Sequence, residues 1–164
     1  MVNAKKLEQL DKQFLWHPFT QHYLWDREPA LIIDSGRGVY LRDVKGRRYL
    51  DGVSSLWVNL VGHNNPEMNR AIIKQLKKIS HSTFLGLTHP AAIELGQQLA
   101  KIAPNGLTRT FYSDNGAGAV EVALKMAYQY WLERGEKRVE FLAIKGSYHG
   151  DTLGAVSVGV RVID

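Results

Sequence analysis

The chain has 164 residues, 45% of them hydrophobic, enough for one domain with a core, and it lacks cysteine, which excludes disulfides, thiolate catalysis and cysteine-bound zinc. Its net charge of +5 comes from 21 basic and 16 acidic residues scattered along the sequence, a pattern that does not indicate nucleic-acid binding. No apolar run approaches the roughly 20 residues of a membrane span, and the charged N-terminus lacks a signal-peptide core, so we expect a cytoplasmic protein without membrane contact.

Residues 1–60 are predicted to form a helix followed by a small antiparallel meander. Apolar residues at helical spacing predict a helix over residues 4–15, and Pro18 disfavours its continuation through His17. Glycine-containing turns then separate three short β-rich runs, residues 31–33, 39–41 and 48–50.

Residues 61–164 show alternating strand and helix patterns. Helices are predicted after Asn65-Pro66, after Pro90 and over residues 117–132, with strands at 107–112 and 139–145. Such alternation implies a parallel α/β sheet that binds ligands at the carboxyl ends of its strands. Because only two parallel strands are evident, we expect this segment to be the first, truncated part of a larger domain.

A glycine-rich turn joins the first of these strands to its helix. Asn115, Gly116 and Ala117 place free backbone N–H groups at a helix N-terminus, where no large side chain blocks an anion such as phosphate. Glu121 stands where a dinucleotide fingerprint has its third glycine, and no Walker lysine follows the turn. The alternative is that the glycines only permit a tight strand-to-helix crossing.

A second glycine-framed loop, carrying Tyr148 and His149, follows the next strand. These residues either pack on the sheet edge or hold a ring against a planar ligand. Since both loops should open at the same sheet edge, together they favour a phosphorylated, planar cofactor. The histidines lack carboxylates at ligand spacing, so no metal site is predicted. Trp57 and the segment 16–21 belong either to the core or to a substrate entrance.

With these motifs assembled, the chain resembles the class III aminotransferases over residues 7 to about 159. The motifs that carry the resemblance are Trp16-His17-Pro18-Phe19-Thr20, Asp51-Gly52-Val53-Ser54-Ser55-Leu56-Trp57, Gly62-His63-Asn64-Asn65-Pro66, Phe111-Tyr112-Ser113-Asp114-Asn115-Gly116-Ala117 and Ser147-Tyr148-His149-Gly150-Asp151-Thr152. Residues 160–164 do not match the expected pattern.

The resemblance implies an incomplete type I pyridoxal-phosphate transferase fold: the N-terminal antiparallel meander plus the start of the large parallel-sheet domain. It implies that Gly116 and Ala117, with Asn115 beside them, bind the phosphate of pyridoxal 5′-phosphate. Tyr148 and His149 are implied to lie at the cofactor ring, where Tyr148 also touches substrate. The positions that line the substrate pocket are Phe19, Leu56 and Trp57.

The resemblance is strongest to the biotin-pathway members, which convert 8-amino-7-oxononanoate to 7,8-diaminononanoate, usually as homodimers. Many members have tyrosine at Phe19 and tryptophan at Leu56, so the amino donor stays open between S-adenosylmethionine and lysine. The Schiff-base lysine and the aspartate that pairs with the pyridine nitrogen are expected downstream, so no catalytic residue lies in this chain and the 164 residues alone should be inactive. The alternatives are another class III (omega-amino acid) aminotransferase and a non-catalytic anion- or nucleotide-binding module.

Overall fold

A computed structural model describes residues 3–159 of the chain. The described residues divide into two compact units between Thr83 and Phe84. The predicted domain boundary near residue 60 rests on composition, and it stays a prediction.

The first unit begins with helix α1 (Ala4–Phe14), whose N-cap is the side chain of Asn3. A short helix α2 (His22–Trp25) and three strands follow: β1 (Ile33–Arg37), β2 (Tyr40–Asp43) and β3 (Arg48–Leu50). The strands form an antiparallel sheet in the order β1-β2-β3, so the predicted meander is confirmed.

The register of this sheet pairs Arg37 with Tyr40 at the first turn and Arg42 with Arg48 at the second. Asp43, at the end of β2, has a side chain only 1% exposed. Its carboxylate accepts hydrogen bonds from the backbone N–H of Lys45 and Arg47, from Arg47 Nε and from the Tyr49 hydroxyl. These four bonds close the β2–β3 turn over a buried carboxylate.

After the sheet come α3 (Ser54–Trp57), a left-handed turn, and α4 (Pro66–Leu76). The start of α4 is as the sequence predicts, because the Asn65 side chain accepts from the N–H groups of Glu67 and Met68 and proline occupies the first turn.

The second unit contains α5 (Pro90–Ile102), α6 (Gly116–Glu133) and α7 (Leu153–Val158). The first two agree with the predicted helices, and α7 has no sequence prediction. Of the helices in residues 3–159, none combines the length and apolar character needed to cross a membrane.

The predicted parallel strands are the main correction. Within residues 3–159, segments 107–112 and 139–144 form no strand, and the only sheet is the antiparallel one. A strand is defined by the backbone hydrogen bonds of a neighbour, which sequence pattern alone does not provide. Residues 160–164, which the resemblance did not match, lie outside the described part of the chain.

Candidate functional site

The N-terminus of α6 presents open backbone donors. Asn115 caps the helix through its side-chain oxygen, which accepts from Gly118 N at 2.7 Å, while its carbonyl accepts from Ala119 N. In the described part of the chain, the N–H groups of Gly116 and Ala117 have no acceptor. A Cβ added at Gly116 would meet nothing within 4 Å, so the approach to these donors is open. Two free N–H groups at the positive end of an 18-residue helix fit a phosphate group.

The loop that carries Tyr148 and His149 packs directly on this turn. Gly150 has φ +126°, and a Cβ there would lie 2.5 Å from Ala117 Cβ and 3.2 Å from Ala155 Cβ. Only glycine permits this approach, since both the backbone angle and the space exclude a side chain. The structure therefore brings the two predicted motifs together, as the sequence expects, although without a sheet edge between them.

Glu121 fastens the far end of this loop to α6. Its carboxylate accepts from the backbone N–H of Gly154 at 2.7 Å and of Ala155 at 3.3 Å, at the start of α7. The side-chain hydrogen bond from Thr152, followed by that from Gly154 N, lowers the pKa of Glu121 below its ordinary value. The residue that broke the dinucleotide fingerprint thus has a structural role in joining α6 to α7.

Tyr148 and His149 point to different surroundings. Tyr148 is 62% exposed, and its hydroxyl donates to Asp151 at 2.7 Å. His149 lines an apolar concavity of about 370 Å³ together with Val120, Leu124 and Phe141. The predicted cofactor residues therefore comprise the open N–H groups at the α6 N-terminus and one exposed aromatic ring in the loop that packs on it.

Phe19 belongs to the first unit and is held by a separate network. Asp11 on α1 accepts from Trp25 Nε1 at 2.8 Å and pairs with His17 Nε2 at 3.1 Å. This ties the segment after α1 back onto the helix. Phe19 itself has φ 51° and is 85% exposed, so its ring projects from the segment that follows α1.

Leu56 and Trp57 lie on the left-handed turn α3. Ser54, Ser55, Leu56 and Trp57 have φ values of 50°, 48°, 64° and 71°. A left-handed conformation costs an L-residue roughly 1–2 kcal/mol, so four in succession require strong local support. The two predicted substrate residues, 68% and 74% exposed, are therefore displayed by a strained segment.

The Asp51 carboxylate supplies much of that support. It accepts from Ser55 N and Ser55 Oγ, each at 2.8 Å, and pairs with His63 Nε2 at 2.7 Å. The backbone and side-chain hydrogen bonds from Ser55 outweigh desolvation and lower the pKa of Asp51.

Asp11, Asp51, His63 and Glu121 are residues that the sequence analysis did not assign to the site. One available signal is a carboxylate among the otherwise small and apolar residues 116–124 of α6, as at Glu121, and another is the acid directly before the Gly52 turn. Residues 3–159 contain no group of three or more histidine, aspartate or glutamate side chains arranged to bind a metal ion.

Comparison with known proteins gives a consistent family. Residues 24–162 match the family described as aminotransferase class-III. The chain is 50% identical over 159 residues to the adenosylmethionine-8-amino-7-oxononanoate aminotransferase of Aquifex aeolicus, covering 96% of this chain and 35% of that protein. It is also 50% identical over 163 residues to the Staphylococcus aureus protein of the same name, with 97% and 36% coverage.

Solved structures of aminotransferases are also similar to this chain. The crystal structure of adenosylmethionine-8-amino-7-oxononanoate aminotransferase from Methanocaldococcus jannaschii superposes with a TM-score of 0.92 at 49% identity, covering 96% of this chain and 36% of that one. An (S)-enantioselective omega-transaminase from Thermomicrobium roseum gives a TM-score of 0.91 at 36% identity, with 97% and 36% coverage. The chain thus spans about a third of the length of the relatives it matches.

Proposed function

We propose, since this chain belongs to the class III aminotransferase family, that it forms part of an enzyme that aminates 8-amino-7-oxononanoate with a pyridoxal-phosphate cofactor. The family is pyridoxal-phosphate dependent. Identity of about 50% to adenosylmethionine-8-amino-7-oxononanoate aminotransferases supports the substrate. The observation that carries the proposal is the pair of open N–H groups at Gly116 and Ala117. The close approach of Gly150 to Ala117 packs the loop of Tyr148 against them.

Each predicted cofactor residue has a part in this proposal. Gly116 and Ala117 bind the phosphate through backbone N–H groups, and Asn115 keeps the helix terminus in place. Tyr148 lies against the cofactor ring, its hydroxyl oriented by Asp151. His149 would contribute to the cofactor site from the apolar concavity that it lines beside α6. When bound, pyridoxal phosphate supplies the electron-withdrawing ring needed to move an amino group.

Phe19, Leu56 and Trp57 form the apolar wall for the substrate in this proposal. The amino donor is S-adenosylmethionine, as the relatives' name indicates, or lysine, because Phe19 and Leu56 depart from the pattern of many members. The complete protein is proposed to act as a cytoplasmic homodimer. The 164 residues alone are proposed to be inactive, because the resemblance assigns the Schiff-base lysine to a later part of the family's sequence.

The cofactor part of the proposal is tested by removing one donor from the phosphate site of the complete protein. Gly116→Pro deletes a single N–H at a helical position that tolerates proline, and Asn115 already has the extended conformation that proline requires before it (φ −155°, ψ 171°). A hydrogen bond to a charged group contributes about 1.5–3 kcal/mol, so the Kd for pyridoxal phosphate should rise about 10- to 100-fold. Absorbance titration measures this value, and circular dichroism verifies that the helices persist.

Gly116→Ala is the matched control, because it keeps the N–H and adds a methyl group where no atom of the described chain lies within 4 Å. It should alter the cofactor Kd less than threefold. Equal weakening by both variants would contradict a backbone phosphate site at this position.

The substrate part is tested by incubating the complete holoenzyme with 8-amino-7-oxononanoate and either S-adenosylmethionine or lysine. Mass spectrometry should detect 7,8-diaminononanoate with one of these donors. A second candidate is an omega-transaminase acting on other amines, favoured by the similarity to the Thermomicrobium roseum enzyme. Amination of simple ketones without any 7,8-diaminononanoate would replace the first proposal by the second.

A further inference from the structure

The left-handed turn α3 needs an anchor outside itself. Non-glycine residues avoid positive φ, yet Ser54, Ser55, Leu56 and Trp57 all adopt it. Within the turn, Trp57 N donates to Val53 O at 2.8 Å and Val58 N donates to Ser54 O at 3.1 Å. These local bonds close the turn, but equivalent bonds would also form in a right-handed one. The handedness therefore has to be selected by contacts from elsewhere.

Asp51 makes those contacts. Its side chain is only 3% exposed, and both carboxylate oxygens are used: Oδ1 accepts from Ser55 N, and Oδ2 accepts from Ser55 Oγ and pairs with His63 Nε2. The backbone N–H of Asp51 donates to Val39 O at 2.9 Å, next to the sheet. The buried Asp51 carboxylate, whose residue is hydrogen-bonded beside the sheet, thus orients the N–H of Ser55 in the middle of the turn.

His63 holds the carboxylate from its other side. Its backbone exchanges two hydrogen bonds with Gly38, His63 N to Gly38 O at 2.7 Å and Gly38 N to His63 O at 3.0 Å. Its ring lies so close to Gly36 that a Cβ there would be 2.7 Å from His63 Cγ. Asn59, with its amide oriented to satisfy both ends, accepts from His63 Nδ1 at 2.9 Å. The imidazole is therefore immobilised between β1, Asn59 and Asp51.

We propose that Asp51, held by His63, is a positioning residue that fixes the left-handed turn and so sets where Leu56 and Trp57 meet the substrate. The inference rests on the proposed function, because it takes the substrate pocket from there. Asp51 touches neither substrate nor cofactor; it acts through Ser55. Its loss should change substrate recognition and leave the cofactor site, which lies in the other compact unit, intact.

The test compares Asp51→Asn with Asp43→Asn in the complete holoenzyme. Asp43 is a matched control, since it is also a buried carboxylate at the end of a strand of this sheet, as Asp51 directly follows β3, and it accepts four hydrogen bonds, but it anchors the β2–β3 turn. Asp51→Asn should raise KM for 8-amino-7-oxononanoate at least tenfold with kcat changed less than threefold and cofactor absorbance unchanged. Asp43→Asn should lower the melting temperature yet leave KM within twofold.

Ser55→Ala provides a milder variant should Asp51→Asn not fold. It removes the side-chain hydrogen bond of the exposed Ser55, one of the three that the Asp51 carboxylate makes. The KM for 8-amino-7-oxononanoate should then rise about threefold. Equal KM values for wild type, Asp51→Asn and Ser55→Ala would overturn the positioning role, as would an equal KM increase in Asp43→Asn.

A spectroscopic readout separates this inference from the proposed function. Each protein is compared with a version that also carries Trp57→Phe, and the difference between the two emissions isolates the fluorescence of Trp57. The anisotropy of this fluorescence should fall in Asp51→Asn and not in Asp43→Asn. If the wild-type enzyme does not aminate 8-amino-7-oxononanoate, the proposed function fails while the anisotropy still decides the role of Asp51. Unchanged anisotropy in Asp51→Asn overturns that role whatever the activity.

Discussion

At the residue scale, three carboxylates each hold a local part of the fold together. Asp43 closes the β2–β3 turn, Asp51 supports the left-handed turn, and Glu121 joins α6 to α7. Each accepts hydrogen bonds from backbone N–H groups, and each has a lowered pKa. A carboxylate with several donors is stabilised in its charged form, so these acids act as fixed acceptors at neutral pH.

Asp43 makes the pH dependence testable. Burial opposes its ionisation, but hydrogen bonds from Arg47 and Tyr49 outweigh burial and lower its pKa from 3.8 to about 2. Because the folded pKa lies below this ordinary value, the carboxylate contributes its full stability above roughly pH 4 and loses it as the pH falls towards 2. Acid unfolding of the complete protein, followed by circular dichroism, should show Asp43→Asn less stable at pH 5. The two proteins should converge near pH 2, and parallel curves down to that pH would contradict the assignment.

At the element scale, the candidate cofactor site is a helix–loop–helix assembly. The first turn of α6 contacts the loop at Gly150, the second turn contacts the start of α7 through Glu121, and Ala155 of α7 is fully buried behind Gly150. Two contacts therefore fix the loop at both ends, and Tyr148 lies just before the first of them. The ring is positioned by the packing of its loop as well as by its hydrogen bond to Asp151.

Gly150→Ala should separate the loop from α6. The new methyl group would overlap Ala117 at a backbone angle that alanine avoids, which should destabilise the complete protein by about 1–3 kcal/mol. The Kd for pyridoxal phosphate should rise in parallel, because Ala117 carries one of the open N–H donors. Gly146→Ala tests the backbone angle alone, since Gly146 has φ +78° and no neighbour within 4 Å of an added Cβ. Chemical denaturation should show that Gly146→Ala lowers the free energy of unfolding less than Gly150→Ala does. Equal losses in the two variants would contradict the argument from steric overlap.

At the scale of the whole molecule, apolar surface is exposed throughout the described chain. Among residues 3–159 the one buried hydrophobic residue is Ala155, whereas Leu142, Ile144 and Leu153 are at least 80% exposed. Monomeric proteins rarely leave such extensive apolar surface in water. This chain spans about a third of the length of the relatives it matches.

The 164 residues expressed alone should therefore aggregate or unfold without a cooperative transition. Co-expression with the remaining two thirds of a class III aminotransferase should bring the chain into a complex, because segments 107–112 and 139–144 would then gain strand partners. Analytical ultracentrifugation and calorimetry measure both outcomes. A monomer that melts cooperatively by itself would favour the stand-alone binding module instead.

The sequence by itself determined the features that depend on neighbouring residues. Asn65-Pro66 starts a helix where expected, and α6 begins within one residue of its predicted start, because a cap acts on N–H groups two or three residues away. The glycine-bounded runs 31–33, 39–41 and 48–50 predicted the meander for the same reason. The motifs were also sufficient to identify the family.

Tertiary structure decided what depends on residues far apart in the chain. His63 reaches Asp51 across 12 residues and Glu121 reaches Gly154 across 33, and no local spacing predicts either pair. The left-handed turn at Ser54–Trp57 was unpredictable because local preferences oppose it, and the Asp51 acceptor that supports Ser55 is buried by the fold. The parallel strands predicted at 107–112 and 139–145 do not form over residues 107–112 and 139–144, since a strand requires a partner that an apolar pattern cannot supply.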